Sequence, residues 1–388
     1  MTMTEALKIA GWPSSLLTKS KEPWIIDDPR IFTELLLYGS HIDRIIVLRD
    51  GVEKLGLDSA VPANVRSAAE GETCTRRFLE KLGDDAALRE LRGRVYCTPP
   101  NSRDERELKN THDGAELDTL AEKRAALKDG KSCTLADGVY IGELRRANKC
   151  RHVADGRWSK SLLSRGACDA IGKTRAEAMP YWDRYDEGLF VGGLFGGSPM
   201  HVDQAIWSNV GKNWLGHKLL VCWPYGEPSR ELFDEHNYEL FVPPLSKGEE
   251  RALEDACQVA LLGPGECVLF SGGNAHMALS VSSSLSLTAY ESFVNLHPRN
   301  LQAFLDSGTP AHYRQCRTRQ PMLDDIKGEM CENLLDLCQD YEDDELRDGE
   351  LAAAVPAAVE ALRKDKLIGE KVAPLLPPKK RRRKGSGA

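Results

Sequence analysis

The chain of 388 residues is short of several features that would place it quickly. Its eleven cysteines are an odd number and none form a Cys-x-x-Cys pair, so neither a disulfide framework nor a compact zinc knuckle is indicated. Reduced thiols of a cytosolic or nuclear protein are expected instead. No run approaches the length of a membrane-spanning helix, and Met1–Leu7 has no basic stretch leading into an apolar core. A soluble, non-secreted protein with no membrane partner is therefore expected. An excess of positive charge is lacking too: 52 Lys and Arg against 59 Asp and Glu leave a formal net charge of −7, which argues against broad wrapping of nucleic acid. The exception is the tail, where Lys379–Lys384 are six consecutive cations that no core can bury. Such blocks serve as import signals or nucleic-acid arms, and a nuclear import receptor is the partner expected here. The localisation that follows is nuclear, with cytoplasmic as the alternative.

What the chain does contain is a glycine-rich approach from Gly192 to His201-Val202-Asp203, answered by Pro264-Gly265-Glu266 and an apolar run to His276. Side chains alternate faces along a strand, so His201 and Asp203 point the same way and can grip one ion. His276 follows an apolar strand reading Val268-Leu269-Phe270 after a Pro-Gly turn, and is placed to supply a third ligand. Two histidines and a carboxylate on one face leave open positions, the arrangement of non-haem Fe(II) oxygenases. A second His-x-Asp, His41-Ile42-Asp43, has no glycine-rich approach and no matching distal histidine, and is read as structural. Between the two halves, Gly216-His217-Lys218 opens a strand-like run to Trp223. Lys218 shares an otherwise apolar face with Leu220 and Cys222, which implies an anionic partner for its charge.

Together, His201-Val202-Asp203, Gly216-His217-Lys218 and Pro264-Gly265-Glu266 leading to His276 resemble the JmjC family of Fe(II)- and 2-oxoglutarate-dependent oxygenases. The resemblance covers residues 135 to 300. It implies that His201, Asp203 and His276 hold the iron and that Lys218 holds the distal carboxylate of 2-oxoglutarate, with Tyr140, Ser198 and Asn209 as further cofactor-binding candidates. The spacing to Asn209 is longer than the family's, and Ser198 stands where threonine is more familiar. It implies as well a double-stranded β-helix, a cupin-like jelly roll, and oxidation of a protein substrate, histone or ribosomal, by side-chain hydroxylation or N-methyl-lysine demethylation. Two other functions fit the same pattern: a cupin-like binding or scaffold protein without turnover, and a small-molecule oxygenase on a related barrel.

The expected fold class is mixed α+β, in four parts. Residues 1–134 form an α+β lead-in with a charged helical insertion, helical at Cys74–Leu91 and Glu116–Lys128. Residues 135–300 form the β-helix domain of many short strands, among them Tyr238–Val242, interrupted by a helix over Ser246–Leu262 that opens with a Ser246/Glu249 capping box. Residues 301–372 are helical and could pair with a second copy in a homodimer. Residues 373–388 are the basic, disordered tail.

Overall fold

In the computed structural model, which describes residues 1–81, the strand backbones 91–97, 118–119 and 139–146, and residues 179–364, with short gaps inside these ranges, the apolar runs become strands. They are β1 (Trp24–Ile26), β2 (Ile46–Leu48), β3 (Leu91–Cys97), β4 (Asp118–Thr119), β5 (Val139–Arg146), β6 (Tyr181–Trp182) and β7 (Leu189–Gly192). β8 (Gly197–His201), β9 (Ser208–Leu215), β10 (Lys218–Trp223), β11 (Gln258–Leu262), β12 (Cys267–Ser271), β13 (Ala275–Ser280) and β14 (Ser286–Val294) follow.

Two sheets result. One has ten strands in the order β1-β2-β12-β9-β14-β7-β5-β3-β4, with β6 attached to β14; the other has four, in the order β11-β10-β13-β8. β1 and β2 run parallel and the remaining ladders are antiparallel. Among the described residues no strand of one sheet forms a ladder with a strand of the other, and an isolated parallel bridge between Lys21 and Gln258 links the approach to β1 with the edge of β11. The fold is thus a mixed α/β arrangement of two largely antiparallel sheets, not a closed barrel.

Alternation along β10 shows how the layers are built. Leu219, Val221 and Trp223 bury against Ala6 and Leu7 of the helix Met3–Ala10, Phe233 of the helix Glu227–His236, and Ala252 and Leu253 of the helix Lys247–Glu254. Burying a Leu or Val of this kind contributes about 1.5–3 kcal/mol relative to exposure. Leu220 and Cys222 point the other way, into a cluster with Val47, Val268, Phe270 and Ala278 that takes residues from both sheets. The space between the sheets is therefore reached by the opposite face of β10, the one that carries Lys218. On its far side the large sheet is covered by residues 26–78, and the C-terminal helices Pro298–Leu305, Gln320–Glu342 and Gly349–Lys364 pack around Tyr181, Trp207 and Leu296.

Several expectations are corrected. The stretch expected to be a helical insertion supplies β3, and β4 lies inside the expected helix Glu116–Lys128. β3 alternates Leu91, Gly93, Val95 and Cys97 with Arg92, Arg94 and Tyr96, a period of two that the charges disguise. The helix expected over Ser246–Leu262 has its capping box: Ser246 N donates to Glu249 Oε2 at 2.6 Å and Glu249 N to Ser246 Oγ at 3.1 Å. It ends at Glu254, however, and Gln258–Leu262 is a strand, because its apolar run pairs in register with Lys218–Cys222. Leu240, Phe241 and Val242, expected in a strand, are fully buried without forming one. They serve as a packed segment whose carbonyl at Phe241 accepts from Trp12 Nε1 at 2.9 Å. Strands β1 to β4 precede residue 135 and join the same large sheet as β5. The tail at Lys379–Lys384 lies outside the described residues.

Candidate metal centre

The centre forms where β8 and β13 meet. His201 and His276 are directly opposed across this antiparallel pair, and the register shifts immediately beyond them, between His276 and Ala278. Their rings stand 4.2 Å apart by centroid at 53°. Asp203 follows two residues after the end of β8, held by its own N–H to Gly272 O at 3.0 Å. Asp203 Oδ1 lies 3.7 Å from His201 Nε2 and 3.7 Å from His276 Nε2. One donor atom from each residue falls within 4.8 Å of the others, and this is the one such group among the described residues. Ligands about 2.1 Å from a common ion stand about 3 Å from one another, so small side-chain shifts close the set on a metal.

Both imidazoles are set for coordination through Nε2. His201 Nδ1 donates to Pro199 O at 2.7 Å and His276 Nδ1 to Asn274 O at 2.9 Å, so each proton sits on Nδ1 and each Nε2 lone pair faces Asp203. Burial is the main reason that His276 titrates far below the ordinary range, at about 4, with nearby His201 lowering it further and Asp203 opposing. His276 is therefore a neutral imidazole at pH 7 and not the cation of an ion pair with Asp203.

The carboxylate is held from behind. Asp203 Oδ2 accepts from Trp207 Nε1 at 2.9 Å and from Asn209 Nδ2 at 2.6 Å. Asn209 Oδ1 in turn accepts from Ser292 Oγ at 2.9 Å. Asn209, read from the sequence as a cofactor-binding candidate, has its amide bound to the carboxylate of Asp203. Glycine is required opposite it: a Cβ at Gly272 would overlap Asp203 Oδ2 and crowd Asn209 Nδ2. Gly197, in the glycine-rich approach, is likewise needed because a Cβ there would overlap the carbonyl of Ala278 on the neighbouring strand.

Lys218 belongs to the same inner face. It opposes Ser280 on β13, while Cys222 opposes His276, and the residues between alternate. Lys218 thus starts four positions from the histidine level, about 13 Å along the strand at 3.3 Å per residue, with a side chain long enough to reach partway back. It is fully buried, and that burial draws its amine down to about 7. Ser198 is half-buried in β8, opposite Ala278. Tyr140 is placed by its backbone alone, in register with Gly192 of β7 and Tyr96 of β3.

Three contributors were missed from the sequence. Trp207 had no motif to mark it. The sequence pattern puts Cys222 on the face of Lys218 and gives no sign that it neighbours His276. Tyr290 has a signal in the alternation of β14, which places Ser286, Thr288, Tyr290 and Ser292 on one face. Ser292 and Thr288 bond to Asn209 and Asn213 of β9, and the Tyr290 ring packs edge-on against Phe190 at 5.2 Å and Phe270 at 6.0 Å. The Tyr290 hydroxyl is buried with no hydrogen-bond partner among the described residues, and burial raises its pKa, so it remains a protonated donor. The second His-x-Asp has a different use: His41 Nδ1 bonds Asn300 Oδ1 at 2.6 Å and its ring stacks on His297 at 5.9 Å.

No protein-family model matches the chain, and no curated protein matches it.

Proposed function

We propose that the protein is an Fe(II)- and 2-oxoglutarate-dependent oxygenase acting on a protein substrate, on a core of the double-stranded β-helix type. The observation that carries the reading is the convergence of His201 Nε2, His276 Nε2 and Asp203 Oδ1, with both histidine protons turned away onto backbone carbonyls. Two imidazoles and one carboxylate suit a borderline divalent metal such as Fe(II) and leave positions for other ligands. The inner faces of the sheets also suit a small dicarboxylate. A buried amine at Lys218 and an unsatisfied phenol at Tyr290 are donors whose desolvation an anion offsets.

Iron and 2-oxoglutarate, when bound, supply the oxidising power to break an unactivated C–H bond. The chain's own residues do the remainder. His201, His276 and Asp203 would hold the metal, Trp207 and Asn209 fix the carboxylate, and Lys218 neutralises the far carboxylate of the dicarboxylate. The apolar wall of Leu220, Val268, Phe270 and Ala278 keeps water from the space between the sheets. The choice of a protein substrate, hydroxylated or demethylated, rests on the family resemblance. The basic tail adds a nuclear setting to the proposal.

The test is incubation of the purified chain with Fe(II), 2-oxoglutarate and peptides from histones and ribosomal proteins, followed by mass spectrometry. Succinate release coupled to one added oxygen or one lost methylene on a peptide is expected. Asp203→Ala should abolish both by removing the anionic ligand. Metal binding without succinate under any condition would favour a binding protein over an enzyme and overturn the proposal.

A further inference from the structure

We infer that Trp207 is a positioning residue that holds Asp203 to one coordinating oxygen and transmits that constraint from the C-terminal helices. The inference rests on the metal reading of His201, Asp203 and His276. A carboxylate has two oxygens and can bind an ion through one or both. Here Oδ2 accepts two N–H donors, Trp207 Nε1 at 2.9 Å and Asn209 Nδ2 at 2.6 Å, while Oδ1 faces the two histidines. With Oδ2 occupied on both sides, Oδ1 alone is left for the metal, which keeps further coordination positions open. Loss of the indole N–H releases one side of Oδ2 and lets the carboxylate rotate toward two-oxygen binding.

The indole can act this way because it is itself fixed. Trp207 O accepts from Gly272 N at 3.0 Å, and Gly272 O accepts from Asp203 N at 3.0 Å, which closes a short circuit of bonds around the carboxylate. The indole lies nearly parallel to the Tyr181 ring, at 6.1 Å and 6°, and Tyr181 lies 5.1 Å from Phe304 of the helix Pro298–Leu305. Two polar bonds brace the same path: Ile206 N donates to Ser307 Oγ at 2.7 Å, and Asn333 Nδ2 of the helix Gln320–Glu342 donates to Pro180 O at 3.2 Å. Tyr181, Trp207 and Phe304 belong to one buried cluster with Leu334 and Leu362, so the stack is part of the helical core. Helices that contribute none of the three ligands thereby set the angle of one of them.

Titration of the full chain with Co(II), followed by its visible absorption, tests this apart from turnover. Wild type should bind the ion. Trp207→Phe, which retains a ring for the stack and lacks the N–H, should bind about tenfold or more weakly, the range for loss of an outer-shell partner, with an altered absorption envelope. If Trp207→Phe proves unstable, replacing Trp207 with benzothienylalanine changes only N–H to sulfur within nearly the same outline, and should give the same loss and spectral change at an unchanged melting temperature. Affinity and spectrum equal to wild type in the benzothienylalanine variant would overturn the inference while leaving the metal site standing. Failure of wild type itself to bind Co(II) would remove the metal reading and the inference with it.

Discussion

His201 and His276 are a cross-strand pair that orient themselves by the same device, each Nδ1 bonded to the carbonyl two residues before it. Neither ring depends on a distant side chain for its tautomer. The carboxylate, by contrast, depends on Trp207, Asn209 and the open backbone at Gly272. The site therefore has a robust half and a delicate half, and substitutions should separate them.

Gly272→Ala strikes the delicate half. The new methyl meets Asp203 Oδ2 and Asn209 Nδ2, and the carboxylate must move. Overpacking of this kind typically costs about 1–3 kcal/mol. The expected outcome is a modest fall in melting temperature accompanied by a large loss of metal affinity, read by Mn(II) titration. Retention of wild-type affinity would show that Asp203 can coordinate from another rotamer.

Lys218 predicts a pH dependence of stability. Its amine falls to about 7 in the folded chain through burial, against about 10.4 for an exposed lysine. Between these values the unfolded chain binds the extra proton and the folded chain does not, so folding becomes more favourable as pH rises through the window. The cost of the buried amine is absent above about pH 10.4 and complete below about pH 7. Lys218→Met should thus be more stable than wild type at pH 6, by as much as about 4 kcal/mol, with the difference gone above about pH 11. Denaturant melts of the metal-free protein at several pH values measure it. A difference independent of pH would mean that the amine is not depressed.

The same residue should bind its ligand with proton uptake. An anion beside Lys218 favours the charged amine, so 2-oxoglutarate binding at pH 8 should take up a proton. Calorimetry in two buffers of different ionisation enthalpy detects this uptake, and Lys218→Met should abolish it along with most of the affinity. Equal proton uptake in the mutant would assign it to another group.

Lys212 and Glu291 form a buried pair on the covered face of the large sheet, 2.9 Å apart and almost wholly excluded from solvent. Removing one partner strands the other charge. Glu291→Leu alone should cost roughly 3–5 kcal/mol, whereas Lys212→Met with Glu291→Leu should recover most of it. Comparing the two in urea checks this, and a double mutant as unstable as the single would show that the sheet cannot accept apolar side chains there.

The basic tail predicts location. A fluorescent fusion should be nuclear, and deletion of Lys379–Lys384 should move it to the cytoplasm with metal binding unchanged. A truncated fusion that stays nuclear but is washed from chromatin by less salt would make the block a nucleic-acid arm instead.

Local rules carried part of this architecture and non-local contacts the remainder. The ligands could be read because strand alternation fixes His201 relative to Asp203, and the Ser246 capping box because it needs only neighbouring residues. The turn at Pro264–Glu266 was legible for the same reason: Gly265 takes φ +88° and Glu266 accepts from Gly263 N at 2.6 Å. β11 escaped because it continues directly from a helical pattern, and only pairing with β10 makes it extended. Trp207 escaped because an indole hydrogen bond leaves no period or spacing in the chain. Asn209 was noticed, but which oxygen it would meet depended on the fold of Gly272, remote in sequence.

The position of β2 has a consequence for how the chain comes into being. β2 pairs with β1 along one edge and with β12 along the other, in the register Leu48 to Cys267, so the second edge of an apolar strand made early waits for a partner synthesised about 220 residues later. At about 5–20 residues per second the ribosome takes tens of seconds to supply it. Through that interval Ile46, Val47 and Leu48, each buried in the finished molecule, must be shielded by transient contacts or by a chaperone. The β2–β12 ladder of the large sheet can therefore form only after β12 has left the exit tunnel. Truncations that end before residue 267 should accumulate as aggregates, however intact their N-terminal helices.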